Sequence, residues 1–271
     1  MITCKEYVAI QKESLALEVS AFELKPKLCV IQIGDDPASS SYIKGKKKDC
    51  AEIGIECEHI HLTDENNLDR SLYKIIMSRN SEMQTNGIIV QLPLPGTVTF
   101  GEELIQSLIR KEKDVDVFRC DSWFTSCTPK GVLDYLEYNK IDLTGKVCTI
   151  IGRSNIVGKP LVKLLIERGA TVISCNSHTK DLKHFTKESD VIFSAIGKPN
   201  YFDSSYFSKG QILVDIGINR DKNGKLCGDI CESAKENMLL ATPVPGGVGL
   251  LTRLALMKNV VSAYKLQCES R

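Results

Sequence analysis

The stretch 147–160 constrains the fold of this chain more than any other part of its sequence. Residues 147–151 form a short apolar run rich in β-branched side chains, which is typical of a buried strand. Gly152 and Gly158 bracket the loop that follows, and Pro160 suits the first turn of the next helix. A strand, a glycine loop and a helix N-terminus can together hold an anionic phosphate on free backbone N–H groups.

Strands and helices are predicted to alternate along nearly the whole chain. Apolar runs predict strands at 27–34, 56–61, 87–92, 147–152, 170–175, 191–196 and 212–216, with helical patterns between them. Such βα repeats favour parallel sheets with helices on both faces. We therefore predict an α/β protein of two lobes, joined near 115–130 and again near 245–250. The final segment, at 249–266, is predicted to be one long helix.

Composition and charge argue against several classes of protein. The formal net charge is +1, which gives no field to attract nucleic acid or a membrane surface. The sequence has no apolar run of the roughly 20 residues that span a bilayer, and no signal-like N-terminal pattern. The 11 cysteines are scattered, odd in number and without a Cys-x-x-Cys pair, which disfavours zinc and a disulfide framework. We expect a cytoplasmic protein that lacks a metal site.

The first lobe contains a candidate base. Tyr42 and Lys46 are four residues apart on the predicted helix 39–53, so they share one helix face. Neighbouring lysines and partial burial both favour a neutral amine over an ammonium, which makes Lys46 a candidate for proton transfer. A solvated basic face that carries a tyrosine is the simpler alternative.

Other polar groups and one unusual loop lie near the predicted strand ends. Gln91 interrupts an apolar strand, where it is placed to orient a lysine or a water, although it could instead bond a neighbouring loop. Asp114 and Asp116 alternate in direction if extended, so only one can face a cleft, and either could be a turn residue. Residues 242–249 form a loop poor in side chains, which either admits a flat ligand or acts as a hinge.

The second lobe favours NADP over NAD. Ser154 and Val157 occupy two positions at which the strict dinucleotide fingerprint has glycine, so an ordinary strand-to-helix connection stays open on this pattern alone. The second strand of an NAD-binding fold usually ends in an acid, whereas Asn-Ser-His-Thr follows the strand here, at 176–179. Arg153 beside the glycine loop, with hydroxyl donors and no carboxylate, suits a 2′-phosphate.

With these pieces assembled, the sequence resembles the bifunctional methylenetetrahydrofolate dehydrogenase/methenyltetrahydrofolate cyclohydrolase family. The matching motifs are Tyr-Ile-Lys-Gly-Lys at 42–46, Val-Gln-Leu-Pro-Leu-Pro at 90–95, Lys-Asp-Val-Asp at 113–116, Cys-Thr-Pro-Lys-Gly at 127–131, Gly-Arg-Ser-Asn-Ile-Val-Gly-Lys-Pro at 152–160, Asp-Ile-Gly-Ile-Asn at 215–219 and Pro-Val-Pro-Gly-Gly-Val-Gly at 243–249. All seven occur in the family's order and cover nearly the whole chain.

The resemblance implies two reactions at one site. The first is NADP-dependent oxidation of 5,10-methylenetetrahydrofolate to 5,10-methenyltetrahydrofolate, and the second is hydrolysis of that product to 10-formyltetrahydrofolate. It also implies a folate-binding α/β catalytic domain (1–122 with 250–271), to which the C-terminal helix returns, a Rossmann-like NADP-binding domain (123–249) and a homodimer. Neither a nucleic acid nor a membrane is implied as a partner.

The resemblance also implies roles for individual residues. Lys46 matches the acid/base for water attack, Gln91 orients that lysine, Tyr42 stacks near the aminobenzoyl ring, and Asp116 holds the amino edge of the pterin. The implied substrate contacts are Tyr42, Lys46, Gln91, Leu92, Asp116, Pro245, Gly246 and Gly247. The implied cofactor contacts are Gly152, Arg153, Ser154, Ile156, Val157, Gly158, Ser177 and Ile218.

Three features depart from the family pattern, all on the side of the pterin. Val117 stands where glycine is common, the connection from 117 to 127 is shorter than usual, and Leu250 stands where proline is common. We expect these changes to alter folate affinity without abolishing activity. Two alternatives stay open: a different NADP-dependent dehydrogenase that acts on a small or shikimate-like acid, and a folate- or nucleotide-binding protein that has lost catalysis.

Overall fold

Residues 1–63, 67–119 and 121–269 are described by the computed structural model of the protein. The chain divides into two compact units, which we name by their largest sheets. The three-stranded unit comprises Ala9–Cys127 and Arg253–Arg271, and the five-stranded unit comprises Met1–Val8 and Thr128–Thr252. Residue 120, within the predicted short connection, lies outside the described residues.

The three-stranded unit is a parallel sheet covered by helices. Its strands are β1 (Lys27–Ile33), β2 (Glu56–Leu62) and β3 (Gly87–Val90), and its helices are most of α1 (Cys4–Ser20), α2 (Pro37–Ile53), α3 (Leu68–Ser81), α4 (Glu102–Leu108) and most of the C-terminal helix, Val248–Glu269. The strand order is β2-β1-β3, so β1 lies in the centre and β2 at an edge.

The side chains of β1 alternate between two apolar clusters. Leu28 and Val30 pack with residues of α2 and of the C-terminal helix, whereas Cys29 and Ile31 pack with residues of α3 and α4. Successive side chains of a strand point to opposite faces, so a strand covered on both faces reads as an unbroken apolar run. This packing explains the sequence of β1.

The five-stranded unit is also a parallel sheet. Its strands are β4 (Val147–Ile151), β5 (Thr171–Cys175), β6 (Val191–Ser194), β7 (Ile212–Asp215) and β10 (Leu240–Ala241). A separate hairpin is formed by β8 (Asn219–Arg220) and β9 (Leu226–Cys227). The helices of this unit are α5 (Cys127–Tyr138), α6 (Gly158–Glu167), α7 (Leu182–Lys187) and the start of the C-terminal helix, which we number α8. The order β10-β7-β6-β4-β5 changes direction between β4 and β6. Ligands of such sheets bind beyond the strand ends at this point.

The unit divisions differ in position from those predicted. The sequence placed them at 122/123 and 249/250, whereas the units divide at 127/128 and 252/253 and again within α1. The N-terminal residues group with the five-stranded unit because the Ile2 N–H donates to Oδ1 of Asn139 at 2.8 Å, and the ring of Tyr7 packs against that of Tyr135. Nothing in the sequence pattern of α1 indicated this division.

The predicted α/β fold with parallel sheets is confirmed, including the long C-terminal helix. The two-residue strands β8, β9 and β10 were not predicted, because two residues show no periodicity. Over the described ranges, none of the helices is both long enough and apolar enough to cross a membrane. The same residues contain no group of three or more His, Cys, Asp or Glu side chains that could hold a metal ion.

Candidate active site and cofactor site

Lys46 is a buried lysine at which three elements of the three-stranded unit meet. The residue lies on α2 and is only 6% exposed. Its Nζ donates to Oε1 of Gln91 at 3.1 Å and lies 3.5 Å from Oδ2 of Asp116. Since a buried amine is costly without polar partners, these two contacts make its position tolerable. The predicted trio is therefore assembled around one nitrogen.

The start of α2 places Tyr42 one turn before Lys46. Asp36 caps the helix by accepting a hydrogen bond from the Ser39 N–H at 2.7 Å, and Pro37 occupies the first turn. Burial raises the pKa of Tyr42, and the positive charge of Arg253 opposes that effect. Tyr42 is nevertheless 37% exposed, so it offers a neutral aromatic surface beside the lysine.

The orientation of Gln91 is fixed by its own neighbours. It follows β3, and its backbone N–H donates to the carbonyl of Ile31 at 2.9 Å, which extends the ladder by one residue. Its side-chain Nε2 donates to the carbonyl of Leu92 at 2.8 Å. Because the amide nitrogen is engaged there, Oε1 is the atom that faces Lys46.

The two aspartates of the Asp-Val-Asp motif have different environments. Asp114 is fully buried and accepts backbone hydrogen bonds from Phe118 at 3.2 Å and Arg119 at 2.9 Å, and burial raises its pKa. Asp116 is half-buried and faces Lys46. Asp114 therefore organises the following turn, while Asp116 is the one available for chemistry.

Val117 adopts the backbone conformation that favours glycine. Its φ is +59°, in the left-handed region, which is strained for a β-branched residue. Asp116, which directly precedes this residue, lies 3.5 Å from Nζ of Lys46. The backbone at this position has the left-handed conformation that glycine favours, so the cost is backbone strain at the valine.

Two residues of α8 support this site and were missed in the sequence. Nδ2 of Asn259 donates to the carbonyl of Val115 at 2.9 Å, just before the short connection, and to that of Thr125 at 3.0 Å, near its end. Nε of Arg253 lies 3.0 Å from Oδ2 of Asp49, a carboxylate on α2 that is 1% exposed. The only signal for Asn259 was an amide inside an otherwise apolar helical pattern.

In the glycine loop of the five-stranded unit, backbone segments lie so close together that there is no room for a Cβ atom. Gly152 has a φ of +123°, and a Cβ there would lie 2.4 Å from the carbonyl oxygen of Ala195. A Cβ at Gly158 would lie 2.2 Å from the carbonyl oxygen of Gly152. Both positions therefore require glycine, which explains why a glycine appears one residue later than in the strict fingerprint.

Ser154 stabilises the turn that leads into α6. Its Oγ accepts hydrogen bonds from the backbone N–H groups of Val157 at 3.2 Å and Gly158 at 3.3 Å. Ile156, which directly precedes Val157, is 48% exposed. The predicted cofactor residues Gly152, Arg153, Ser154, Ile156, Val157 and Gly158 thus all lie between the end of β4 and the first residue of α6.

Arg153 and Ser177 lie at the carboxyl end of β5. The Arg153 guanidinium contacts Ser174 of that strand, and the described residues supply no carboxylate as an ion-pair partner for it. Ser177 is exposed in a turn that the Thr179 N–H closes on the carbonyl of Asn176 at 3.0 Å. An unpaired guanidinium beside hydroxyl groups fits a phosphate monoester.

The loop 243–249 is compact and glycine-dependent. Gly246 has a φ of +94°, and a Cβ at Gly247 would lie 2.2 Å from the carbonyl oxygen of Pro243. A Cβ at Gly249 would lie 3.4 Å from Cδ1 of Ile218, which is 44% exposed. Gly249 therefore lies against an apolar side chain of the same five-stranded unit.

Comparison with known proteins identifies the family. Residues 2–116 match the family described as "Tetrahydrofolate dehydrogenase/cyclohydrolase, catalytic domain", and residues 126–268 match "Tetrahydrofolate dehydrogenase/cyclohydrolase, NAD(P)-binding domain". The "Bifunctional protein FolD" of Agathobacter rectalis is 43% identical over an alignment of 269 positions that covers 94% of this chain and 95% of that protein. That of Bacillus subtilis is 39% identical over 98% of this chain and 97% of its own.

Solved structures agree with this match. The crystal structure of FolD from Campylobacter jejuni, titled a methylenetetrahydrofolate dehydrogenase/cyclohydrolase, is 39% identical, covers 97% of both chains and superposes with a TM-score of 0.91. The Trypanosoma brucei enzyme, complexed with NADP and an inhibitor, is 28% identical, covers 99% of this chain and 98% of its own, and has a TM-score of 0.90. The resemblance inferred from seven motifs is confirmed: this chain belongs to the tetrahydrofolate dehydrogenase/cyclohydrolase family.

Proposed function

We propose that this protein oxidises 5,10-methylenetetrahydrofolate with NADP and hydrolyses the resulting 5,10-methenyltetrahydrofolate to 10-formyltetrahydrofolate. Membership of a family of bifunctional enzymes supports both activities. The observation that carries the proposal is the buried Lys46, with Gln91 and Asp116 both within 3.5 Å of its Nζ. Such an arrangement suits proton transfer at a fixed point better than a surface ion pair does.

Oxidation needs positioning more than it needs a protein nucleophile. Bound NADP supplies a hydride acceptor, C4 of its nicotinamide ring. The protein's part is to hold the one-carbon bridge of the folate against that atom. For this we assign Tyr42 to stacking on the aminobenzoyl ring and Asp116 to the amino edge of the pterin. Leu92, Pro245, Gly246 and Gly247 complete the proposed folate contacts.

Hydrolysis needs a proton acceptor and then a donor. Water adds to the cationic methenyl carbon, and the Lys46 amine takes one of its protons. The bond from that carbon to N5 then breaks, N5 receives a proton from Lys46, and the hydroxyl of the adduct loses its proton as the formyl group forms. One proton is released to solvent in total. Gln91 holds Lys46 in place through both steps.

NADP rather than NAD is the cofactor that the donor set favours. The proposed 2′-phosphate contacts are Arg153 and Ser177, and the strand that precedes Ser177 ends without an acid to bind ribose hydroxyls. The remaining proposed cofactor contacts are Gly152, Ser154, Ile156, Val157, Gly158 and Ile218. A steady-state preference for NAD would contradict this part of the proposal.

We further propose a homodimer in the cytoplasm. The ten cysteines in the described part of the chain are all free thiols, six of them buried, as expected in a reducing compartment. The dimer rests on the resemblance to the family, and sedimentation of the purified protein would test it directly.

The two reactions can be assayed separately. Purified protein with 5,10-methylenetetrahydrofolate and NADP should produce reduced cofactor, and with supplied 5,10-methenyltetrahydrofolate it should open the ring. Tight folate binding without turnover in either assay would instead indicate a binding protein. Turnover of a small hydroxy acid in place of folate would indicate a different dehydrogenase.

A further inference from the structure

The guanidinium of Arg153 is held by a single residue of the neighbouring strand. Its Nε donates to Oγ of Ser174 at 3.1 Å, and its Nη2 donates to the carbonyl oxygen of the same residue. Both bonds use one edge of the planar group. One serine therefore fixes both the position and the plane of the guanidinium.

Ser174 can act in this way because β5 is an edge strand. The carbonyl of Cys175 points inward and accepts a hydrogen bond from the Gly152 N–H at 3.0 Å. Successive carbonyls of a strand point to opposite sides, so that of Ser174 faces the open edge, where the described sheet has no further strand. Arg153 supplies the partner that a further strand would otherwise provide.

The anchored guanidinium keeps donors for a ligand. Arginine has five N–H donors, and the contacts with Ser174 use two of them. The end of the fork, with one N–H on each Nη atom, stays able to bind two oxygens of a phosphate. Ser177 lies three residues further along the chain, in the turn that follows β5.

We propose that Ser174 is a positioning residue for recognition of the 2′-phosphate and acts through Arg153. The inference rests on the proposed preference for NADP. Arg153 is exposed, so without an anchor its long side chain would have to be ordered when the cofactor binds. Anchoring in advance removes part of that cost. NAD has no 2′-phosphate, so Ser174 affects the discrimination between cofactors rather than turnover.

The test is the kinetics of Ser174→Ala with both cofactors. This variant removes the hydroxyl and keeps the carbonyl, so we expect a rise of roughly three- to tenfold in the KM for NADP. The kcat with NADP and both constants with NAD should be unchanged. Ser174→Thr keeps a hydroxyl and should restore the KM, and Thr171→Ala, on the exposed start of the same strand, is the matched control.

The possible results distinguish a failure of the inference about Ser174 from a failure of the proposed preference for NADP. An equal loss of kcat/KM with NADP and NAD would mean that Ser174 is merely structural, and would overturn the inference. So would an unchanged KM for NADP in an enzyme that prefers NADP. If the wild-type enzyme shows no preference for NADP over NAD, both the proposed cofactor and the inference about Ser174 are contradicted. This comparison is made on the wild-type enzyme before any variant is tested.

Discussion

At the scale of single residues, Lys46 is the group on which the hydrolytic step depends. Lys46→Met keeps the length and apolar stem of the side chain but can neither accept nor donate a proton. We expect ring opening to fall by at least about 10²-fold, the lower range for general acid–base catalysis. NADP binding, measured by calorimetry, should stay unchanged.

A neighbouring lysine provides the control for that experiment. Lys47 is exposed on the same helix, so Lys47→Met removes one charge from α2 without touching the buried site. Normal ring opening is expected for this variant. If Lys46→Met also opened the ring at the wild-type rate, Lys46 would have no part in the mechanism.

Val117 is the second residue with a measurable consequence. A left-handed φ costs a non-glycine residue about 1–2 kcal/mol, whereas glycine adopts it freely. The more flexible unfolded chain of a glycine variant offsets about 0.4–1 kcal/mol of that gain. Val117→Gly should therefore raise the free energy of unfolding by about 1 kcal/mol, as measured by denaturant titration.

Val117→Ala separates the strain from the loss of the side chain. Alanine keeps a Cβ in the same conformation, so it should be no more stable than the wild type. If both variants were equally stabilised, the effect would not come from backbone strain. The KM for folate should be measured in parallel, because Asp116 directly precedes the strained residue.

At the scale of secondary-structure elements, α2 and α8 are joined through a glycine. A Cβ at Gly45 would lie 1.8 Å from Nη1 of Arg253, so the guanidinium lies across the helix at that position. Tyr42, Gly45, Lys46 and Asp49 share this face of α2, since they are spaced three and four residues apart. Arg253 thereby ties the face that carries the proposed catalytic lysine to the last helix.

A double-mutant cycle tests the contact between Gly45 and Arg253, because Gly45→Ala should stabilise the protein only when the arginine is absent. Glycine inside a helix is less favourable than alanine by about 1 kcal/mol. In an Arg253→Ala background, Gly45→Ala should therefore stabilise the protein by about that amount. In the wild type the same change should be neutral or destabilising, because it displaces Arg253 from the buried Asp49. Equal effects in both backgrounds would show that the two residues are not coupled.

The sequence predicts which residues belong to the site better than it predicts which residues they contact. Lys46 and Gln91 stood out because each is a polar residue in a helical or an apolar pattern, whereas only the family resemblance distinguished Asp116 from Asp114. Their convergence depends on the sheet order, which no local pattern contains. The role of Ser174 was invisible for the same reason, because its free carbonyl follows from the place of β5 at the edge of the sheet.

The long elements were predictable because packing repeats along them. β1 reads as apolar because helices cover both of its faces, and α2 ends where Gly54 adopts a left-handed conformation with a φ of +90°. The hairpin β8–β9 has only two residues in each strand, and the pairing of β10 with β7 is set by contacts between distant residues, such as Leu240 with Ile212. Such pairings leave no trace in a short window of sequence.

At the scale of the whole molecule, the cofactor should stabilise the five-stranded unit. A ligand at 100 times its dissociation constant stabilises the folded state by about 2.7 kcal/mol. We expect NADP to raise the melting transition of the protein by several degrees, and NAD at the same concentration to raise it less. Arg153→Ala should reduce the NADP shift to that of NAD. Equal shifts for the two cofactors in the wild type would argue against recognition of the 2′-phosphate.

The division of the chain also affects how the protein is made. The three-stranded unit consists of Ala9–Cys127 and Arg253–Arg271, and all of 128–252 is synthesised between those two segments. Until α8 leaves the ribosome, Leu28 and Val30 lack part of their apolar cover, and the backbone around Asp116 lacks Asn259. The five-stranded unit has by then been synthesised in full. During synthesis the three-stranded unit should therefore expose apolar surface for longer than the five-stranded unit does. We expect chaperones to bind the nascent three-stranded unit rather than the five-stranded one.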